Sequence, residues 1–208
     1  MIHFGINVKE DERLTRENYI SNYKQEKNMY SLDEVLENYN KNIAYFKKLN
    51  KEDFENELNK FFTKFKKFRE IYDLNECDFD GLYVIVLDKY KQVYIGIADN
   101  IKKRILQHWR KRPNCLVYGN KDNSKLCIDT FKALDTTRIF VYTDSSFEFM
   151  KNLINRIESH IRPGSTLIKH VSETLEDDEA KMIKFFDNKY TCNRYIGIKS
   201  KWLRRDFT

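Results

Sequence analysis

The chain contains a long stretch, between Gly5 and Gly81, that has no glycine and no proline. These two residues interrupt regular structure most strongly, because glycine adopts conformations that others avoid and proline lacks a backbone N–H. Their absence favours long uninterrupted elements. We therefore predict that residues 9–75 are mainly helical.

Two patterns inside this stretch locate individual helices. Ser31 followed by Glu34 is typical of a capping box, which predicts a helix that begins at Leu32. From near Asp53 onward, apolar residues recur at steps of three and four, the helical period. They are Phe54, Leu58, Phe61, Phe62, Phe65, Phe68 and Tyr72. Such a stripe is more often core packing than a ligand surface, so we expect it to be buried.

The pattern changes to β-strands at Gly81. Two runs rich in β-branched and aromatic residues, 81–87 and 93–98, are separated by a turn-like segment and predict a hairpin. Asp99 or Asn100 then caps a helix, which carries on one side Ile101, Ile105, His108 and Trp109.

The rest of the chain predicts one more strand and two helices. The strand is expected at 138–142, and an amphipathic helix at 147–161. Thr174 caps a last helix that runs to about Phe186. The element order predicts an α+β fold, with a small three-stranded, largely antiparallel sheet flanked by helices.

Charge is divided unevenly along the 208 residues, which carry 38 Lys and Arg against 32 Asp and Glu, a net charge of +6. Residues 1–80 hold 14 basic and 17 acidic side chains, so residues 81–208 hold the other 24 and 15, a net charge of +9. A basic excess favours an anionic partner, most commonly a phosphate backbone. A well-solvated lysine-rich surface would give the same count.

Composition excludes several classes of protein. Aromatic residues make up 14% of the chain, which argues against disorder, and the mean hydropathy of −0.72 with no long apolar run argues against a membrane span. The N-terminus lacks the pattern of a signal peptide, so we expect a cytoplasmic protein. The four cysteines, Cys77, Cys115, Cys127 and Cys192, are widely spaced and form no CxxC pair, so a zinc ribbon is not expected. We expect them to be free thiols.

A set of residues in a fixed order carries the chemistry. Two triplets, Gly81-Leu82-Tyr83 and Tyr94-Ile95-Gly96, lie on the strands of the predicted hairpin. Arg104 follows on the next helix, and His108 comes one turn later on the same face. Glu179 lies early in the final helix, and Asn193 follows it.

This ordered combination resembles the GIY-YIG nuclease family over about residues 79–195, with Leu82 in place of the family isoleucine. A second Tyr-Ile-Gly string at 195–197 lacks an upstream partner and a following Arg-bearing helix. The resemblance implies a nuclease domain over 79–208, and it leaves residues 1–78 as an N-terminal helical extension. That extension could set target choice, contact a partner, or cover one face of the sheet.

The resemblance implies a metal-dependent endonuclease that hydrolyses phosphodiester bonds in DNA. Glu179 would hold one Mg²⁺ or Mn²⁺, which suits an ion that binds through one or two carboxylates and phosphate. Arg104 would hold phosphate oxygens with its donor fork. Tyr83 would help to deprotonate the attacking water, although a phenol is a poor base until nearby cations lower its pKa. Tyr94 would orient the water or a phosphate, and His108 would bind phosphate or relay protons.

Three further residues are expected to serve substrate binding. Asn193 would position the Glu179 end of the site, and Lys103 lies beside the family arginine. Trp202, in a basic segment at 199–205, could stack on a base, although a solvated tail would have the same composition.

Each of these residues has a structural interpretation when it is taken alone. Tyrosines on strands are usually packing residues, an isolated arginine is usually a surface cation, and an acid at a helix start often only favours that helix. Their order and spacing together favour the functional interpretation. Glu148 and Glu158 compete with Glu179 for the metal, but neither has an asparagine at the family interval. Choosing Glu179 makes residues 144–172 an insertion.

Two alternatives in function stay open at this point. The chain could be a catalytically silent nucleic-acid-binding or interaction protein that kept the fold. Among nucleases, it could act in repair or recombination on branched DNA, or serve in restriction or a mobile element, because specificity lies outside the recognisable residues.

Overall fold

A computed structural model describes residues 1–10, 12–23, 30–110, 124–143, 178–193, 195, 205 and 207. The fold is α+β, as predicted. Its helices are α1 (Arg16–Tyr23), α2 (Leu32–Lys48), α3 (Lys51–Lys64), α4 (Ile101–Arg110) and helical residues 178–185, here α5. Its strands are β1 (Ile2–His3), β2 (Ile6–Asn7), β3 (Arg69–Ile71), β4 (Gly81–Leu87), β5 (Gln92–Ala98) and β6 (Arg138–Tyr142).

Among the described residues, the central sheet has four strands in the order β3-β6-β4-β5, and every neighbouring pair is antiparallel. The prediction of three strands is therefore corrected to four. The missed strand, β3, pairs Arg69 with Val141 and Ile71 with Ile139. A three-residue strand has almost no local signal, and this one exists because β6 offers its backbone from a distant part of the chain.

The Phe-rich stripe extends beyond the helix that it predicted. Helix α3 ends at Lys64, so the predicted helical continuation to Tyr72 is wrong. Phe65 and Phe68 nevertheless pack around Phe61, with ring centroids 4.7 and 5.8 Å away, while Tyr72 is 74% exposed. The aromatic period continued past the helix because the connecting residues still turn towards the same core.

Several local predictions are confirmed. Helix α2 begins at Leu32 with Ser31 and Glu34 in a reciprocal capping box. The hairpin joins β4 to β5 through a 3₁₀ turn and Lys91, whose φ is +50°. Helix α4 is capped by Asn100, whose side-chain oxygen accepts a hydrogen bond from the Lys103 amide at 2.8 Å.

Both faces of the sheet are covered, and the N-terminal region, residues 1–78, contributes to each. Alternating residues of β4 and β5 point to opposite faces. One face packs on α3 and α5, through Phe54, Leu58, Phe61, Leu82, Val84, Val86, Val93, Ile95, Met182 and Ile183. The other face packs on α4 and α2, through Val35, Leu36, Tyr39, Phe46, Tyr83, Ile85, Leu87, Ile101, Ile105 and Trp109.

A short segment extends the sheet beyond β5. Thr191 forms an isolated parallel bridge with Val93, and the Cys192 amide donates to the Val93 carbonyl at 2.9 Å. Residues 191–193 therefore follow α5 and run along the outer edge of β5. The predicted helix at 147–161, the Thr174 cap and the insertion at 144–172 lie outside the described residues.

The cysteines and the helix lengths can also be compared with the sequence. Cys77, Cys127 and Cys192 are buried free thiols. Within the described part of the chain, none of the helices combines the length and apolar character needed to cross a membrane.

Candidate functional site

The two motif tyrosines lie on one face of the sheet. Tyr83 pairs with Gly96 across the β4–β5 ladder, and Tyr94 pairs with Ile85. Because positions two residues apart share a face, both rings project towards α4, and their centroids are 6.0 Å apart. Tyr83 is fully buried, whereas Tyr94 keeps some exposure.

The glycine of each triplet has a physical reason. A Cβ atom on Gly96 would lie 2.6 Å from the ζ-carbon and the hydroxyl of Tyr83. Only glycine therefore leaves room for the Tyr83 ring to pack over the backbone of β5. Gly81 has a φ of +154°, and a Cβ there would meet the Tyr142 carbonyl oxygen of β6. The triplets therefore encode close packing around Tyr83 and between β4 and β6.

Helix α4 places His108 against the buried tyrosine. The Tyr83 hydroxyl and His108 Nε2 are 2.8 Å apart, and the rings of Tyr94 and His108 have centroids 5.1 Å apart. Arg104, one turn earlier, is half-buried and donates to the Gln107 side-chain oxygen at 2.9 Å. Both residues act on Tyr83, as expected if they share a face of α4: Arg104 opposes the rise that burial causes in the pKa of the Tyr83 hydroxyl, and His108 is within hydrogen-bond distance of that hydroxyl.

Asp129 is a member of this cluster that the sequence analysis missed. Its Oδ1 lies 2.6 Å from His108 Nδ1, on the side of the ring away from Tyr83. Asp129 lies in a 3₁₀ turn, Ile128–Thr130, outside every motif and outside any helical or strand period. It belongs to no motif or period, so only its contact with His108, 21 positions earlier, reveals it.

The electrostatic environment disfavours a free tyrosinate. Burial raises the pKa of Tyr83 well above its ordinary value, Tyr94 adds to the rise, and the Arg104 guanidinium opposes it. Burial also raises the pKa of Tyr94, and the Glu179 carboxylate raises it further. Burial opposes the charge on Arg104, but the oxygens of Tyr83 and Tyr94 outweigh this effect and raise its pKa.

Glu179 lies on α5. It is half-buried, and its charge acts on Tyr94, which lies on the edge strand β5. In the described part of the chain, no three His, Cys, Asp or Glu side chains cluster as a metal site would need. A single carboxylate is still a suitable anchor for Mg²⁺, which commonly completes its shell with water and phosphate oxygens.

The structure gives Asn193 a definite set of partners. Its side-chain oxygen accepts from the Ile95 amide at 3.0 Å, and its side-chain nitrogen donates to the Ile95 carbonyl at 2.7 Å. The side-chain amide of Asn193 therefore pairs with the backbone of Ile95 as a neighbouring strand would, and it attaches the segment after α5 to the edge of β5. The role expected for Asn193 at the Glu179 end of the site stays a prediction.

The remaining candidates are less closely tied to the cluster. Lys103 lies on α4 with an exposed side chain, next to Arg104 in sequence. Trp202, Glu148 and Glu158 lie outside the described residues.

Comparisons of the chain with protein-family models, with curated proteins and with solved structures find no match.

Proposed function

We propose that the protein is a metal-dependent endonuclease that hydrolyses phosphodiester bonds in DNA. The observation that carries the proposal is the contact between the Tyr83 hydroxyl and His108 Nε2, at 2.8 Å, on the face that Tyr94 and Arg104 share. Two strands and the following helix bring these four residues together, and each has a distinct chemical capacity towards a phosphodiester.

Arg104 and Glu179 would handle the charge of the substrate. A half-buried guanidinium binds phosphate oxygens with a rigid donor fork, and partial burial strengthens that attraction. Glu179 would hold Mg²⁺ or Mn²⁺. The cation, when bound, would neutralise charge at the scissile phosphate and on the leaving oxygen.

The two tyrosines would handle the attacking water. Tyr94 is the more exposed of the pair and can orient a water or a phosphate oxygen by hydrogen bonding. Tyr83 has a raised pKa, so at neutral pH it carries its proton. It can therefore accept a proton from water only while it passes its own proton on, and His108 Nε2, 2.8 Å from the Tyr83 hydroxyl, can take that proton.

The charge of the chain supports DNA as the polyanion. Residues 81–208 carry a net charge of +9, and α4 presents exposed Lys103 and Arg110 beside the half-buried Arg104. Cations grouped around one helix are what a phosphate backbone requires.

The proposal is tested by cleavage of supercoiled plasmid, branched and single-stranded DNA, with Mg²⁺, Mn²⁺ or EDTA. We expect metal-dependent cleavage that falls about 100-fold or more in Arg104→Ala and in Glu179→Gln, since each removes a group that acts on charge in the transition state. Arg16→Ala and Glu52→Gln, at exposed positions of α1 and α3, are matched controls that should cleave like the wild type.

Two results would contradict the assignment. Undiminished cleavage in both site variants would refute the site. DNA binding without cleavage of any substrate would instead support the silent binding protein as the function.

A further inference from the structure

We infer that Asp129 is a positioning residue of the proposed site: it holds His108 in the tautomer whose Nε2 takes the Tyr83 proton. The inference rests on the proposed function and extends it by a residue outside every motif. It follows from two contacts that lie in series, from Tyr83 to His108 and from His108 to Asp129.

The tautomer follows from the chemistry of the partners. A carboxylate only accepts hydrogen bonds, so the nitrogen 2.6 Å from Asp129 Oδ1, which is His108 Nδ1, carries a proton. In a neutral imidazole the other nitrogen, Nε2, is then an acceptor. The Tyr83 hydroxyl, 2.8 Å from Nε2, must therefore be the donor.

Burial makes this arrangement specific. The side chains of His108 and Asp129 are 2% and 14% exposed, and Tyr83 is fully buried. Water therefore competes little for the hydrogen bond between His108 and Asp129. A carboxylate beside an imidazole in such surroundings also stabilises the imidazolium that proton uptake creates.

The proton transfers of this route need only water and the side chains of Tyr83 and His108. As the water oxygen bonds to phosphorus, the water proton passes to the Tyr83 oxygen and the Tyr83 proton passes to His108 Nε2. The phosphorus–oxygen ester bond breaks, and its electron pair leaves with the leaving oxygen, which takes a proton from solvent. His108 then returns the extra proton from Nε2 to the Tyr83 oxygen as Tyr83 passes its own proton to the next water molecule, while Asp129 stays ionised throughout.

The first test reads the tautomer in the unreacted protein, by long-range ¹H–¹⁵N spectra of ¹⁵N-histidine-labelled wild type. We expect His108 with a protonated Nδ1 and an unprotonated Nε2. In Asp129→Ala we expect that single tautomer to be lost, because the partner that selects it is gone. A wild-type His108 that is protonated on Nε2 would overturn the inference, whether or not DNA is cleaved.

The second test reads the rate. In Asp129→Asn we expect cleavage about 100-fold slower or worse, in the range of general acid–base contributions, with substrate binding unchanged. Asp129→Glu, which keeps the carboxylate, should recover part of the rate. Asp33→Asn, at an exposed position of α2, is the matched control.

The outcomes separate the two proposals. A wild type that cleaves nothing rejects the proposed function, while the tautomer spectrum still decides the role of Asp129. A wild type that cleaves, with Asp129→Asn equally fast, rejects the positioning role alone. Thermal unfolding of each variant accompanies both tests, because a purely structural Asp129 would lower the melting temperature without changing the tautomer.

Discussion

At the scale of single residues, the candidate site depends on the missing side chain of Gly96 as well as on its polar residues. Tyr83 can reach His108 only because its partner across the ladder, Gly96, has no side chain. The triplet glycine is therefore a packing residue of the candidate site, and its effect on function passes through the tyrosine ring.

Gly96→Ala tests this dependence. The new methyl group would overlap the Tyr83 ring, which His108 holds from the other side, so the ring must move and the Tyr83–His108 hydrogen bond must break. We expect at least a tenfold loss of cleavage, together with a loss of about 1–3 kcal/mol in the free energy of unfolding. Cleavage assays and urea titration measure the two effects.

Gly197→Ala is the matched control, because Gly197 ends the second Tyr-Ile-Gly string, which the sequence analysis set aside. It should leave the cleavage rate unchanged. A larger loss in Gly197→Ala than in Gly96→Ala would mean that the wrong triplet was assigned.

At the scale of elements, buried polar contacts tie distant segments together. Asn42 of α2 donates to the Ser124 carbonyl at 2.9 Å. The next residue, Lys125, is 3% exposed and donates from Nζ to the carbonyls of Asn188 and Thr191 at 2.9 and 3.0 Å. Helix α2 is thereby connected to the segment that follows α5.

The charge on Lys125 makes this connection dependent on pH. Burial lowers the pKa of Lys125 well below its ordinary value, and the nearby Arg205 lowers it further. Between the lowered folded pKa and about 10.4, the unfolded chain binds more protons than the folded one, so this residue makes stability rise with pH.

We therefore expect Lys125→Met to remove part of the pH dependence of stability. Relative to that variant, the wild type should gain free energy of unfolding between pH 7 and pH 10, as measured by urea titration. Lys47→Met, at an exposed position in the last turn of α2, should follow the wild-type curve. A wild type that loses stability relative to Lys125→Met over this range would contradict the sign.

At the scale of the whole molecule, the N-terminal region, residues 1–78, is built into the core. Helix α3 covers one face of the sheet, α2 packs against the other, and β3 forms one edge. Of the three roles that the sequence left open for residues 1–78, covering the sheet is the one that these contacts support. Target choice and partner binding stay as predictions.

Substitution of two aromatic residues of the predicted stripe tests whether this region stabilises the sheet by packing on it. Phe61 is fully buried and lies 4.8 Å from Phe186 of the far C-terminal part, between ring centroids, whereas Tyr72 is 74% exposed. We expect Phe61→Ala to cost about 3–5 kcal/mol in the free energy of unfolding, because a cavity remains in the core. Tyr72→Ala should stay within about 0.5 kcal/mol of the wild type.

Chemical denaturation of both variants gives the comparison. A small effect at Phe61 would mean that the N-terminal region does not pack on the sheet. A large effect at Tyr72 would restore the idea of one continuous amphipathic helix.

Much of the fold could be predicted where the signal is local. The capping box of α2, the hairpin of β4 and β5, the Asn100 cap and the strand β6 all follow from residues within a few positions of one another. Tyr83, Tyr94, Arg104 and His108 are singled out by their order along the chain, and their meeting on one face is a tertiary contact.

What only the tertiary structure decided depends on residues far apart in the chain. Strand β3 forms because β6 pairs with it, and Asp129 meets His108 through a turn that has no period of its own. The sequence by itself determined caps, turns and periodicity, since those energies come from neighbouring residues. The fourth strand, the covered faces and the histidine partner come from long-range packing, which no single segment specifies.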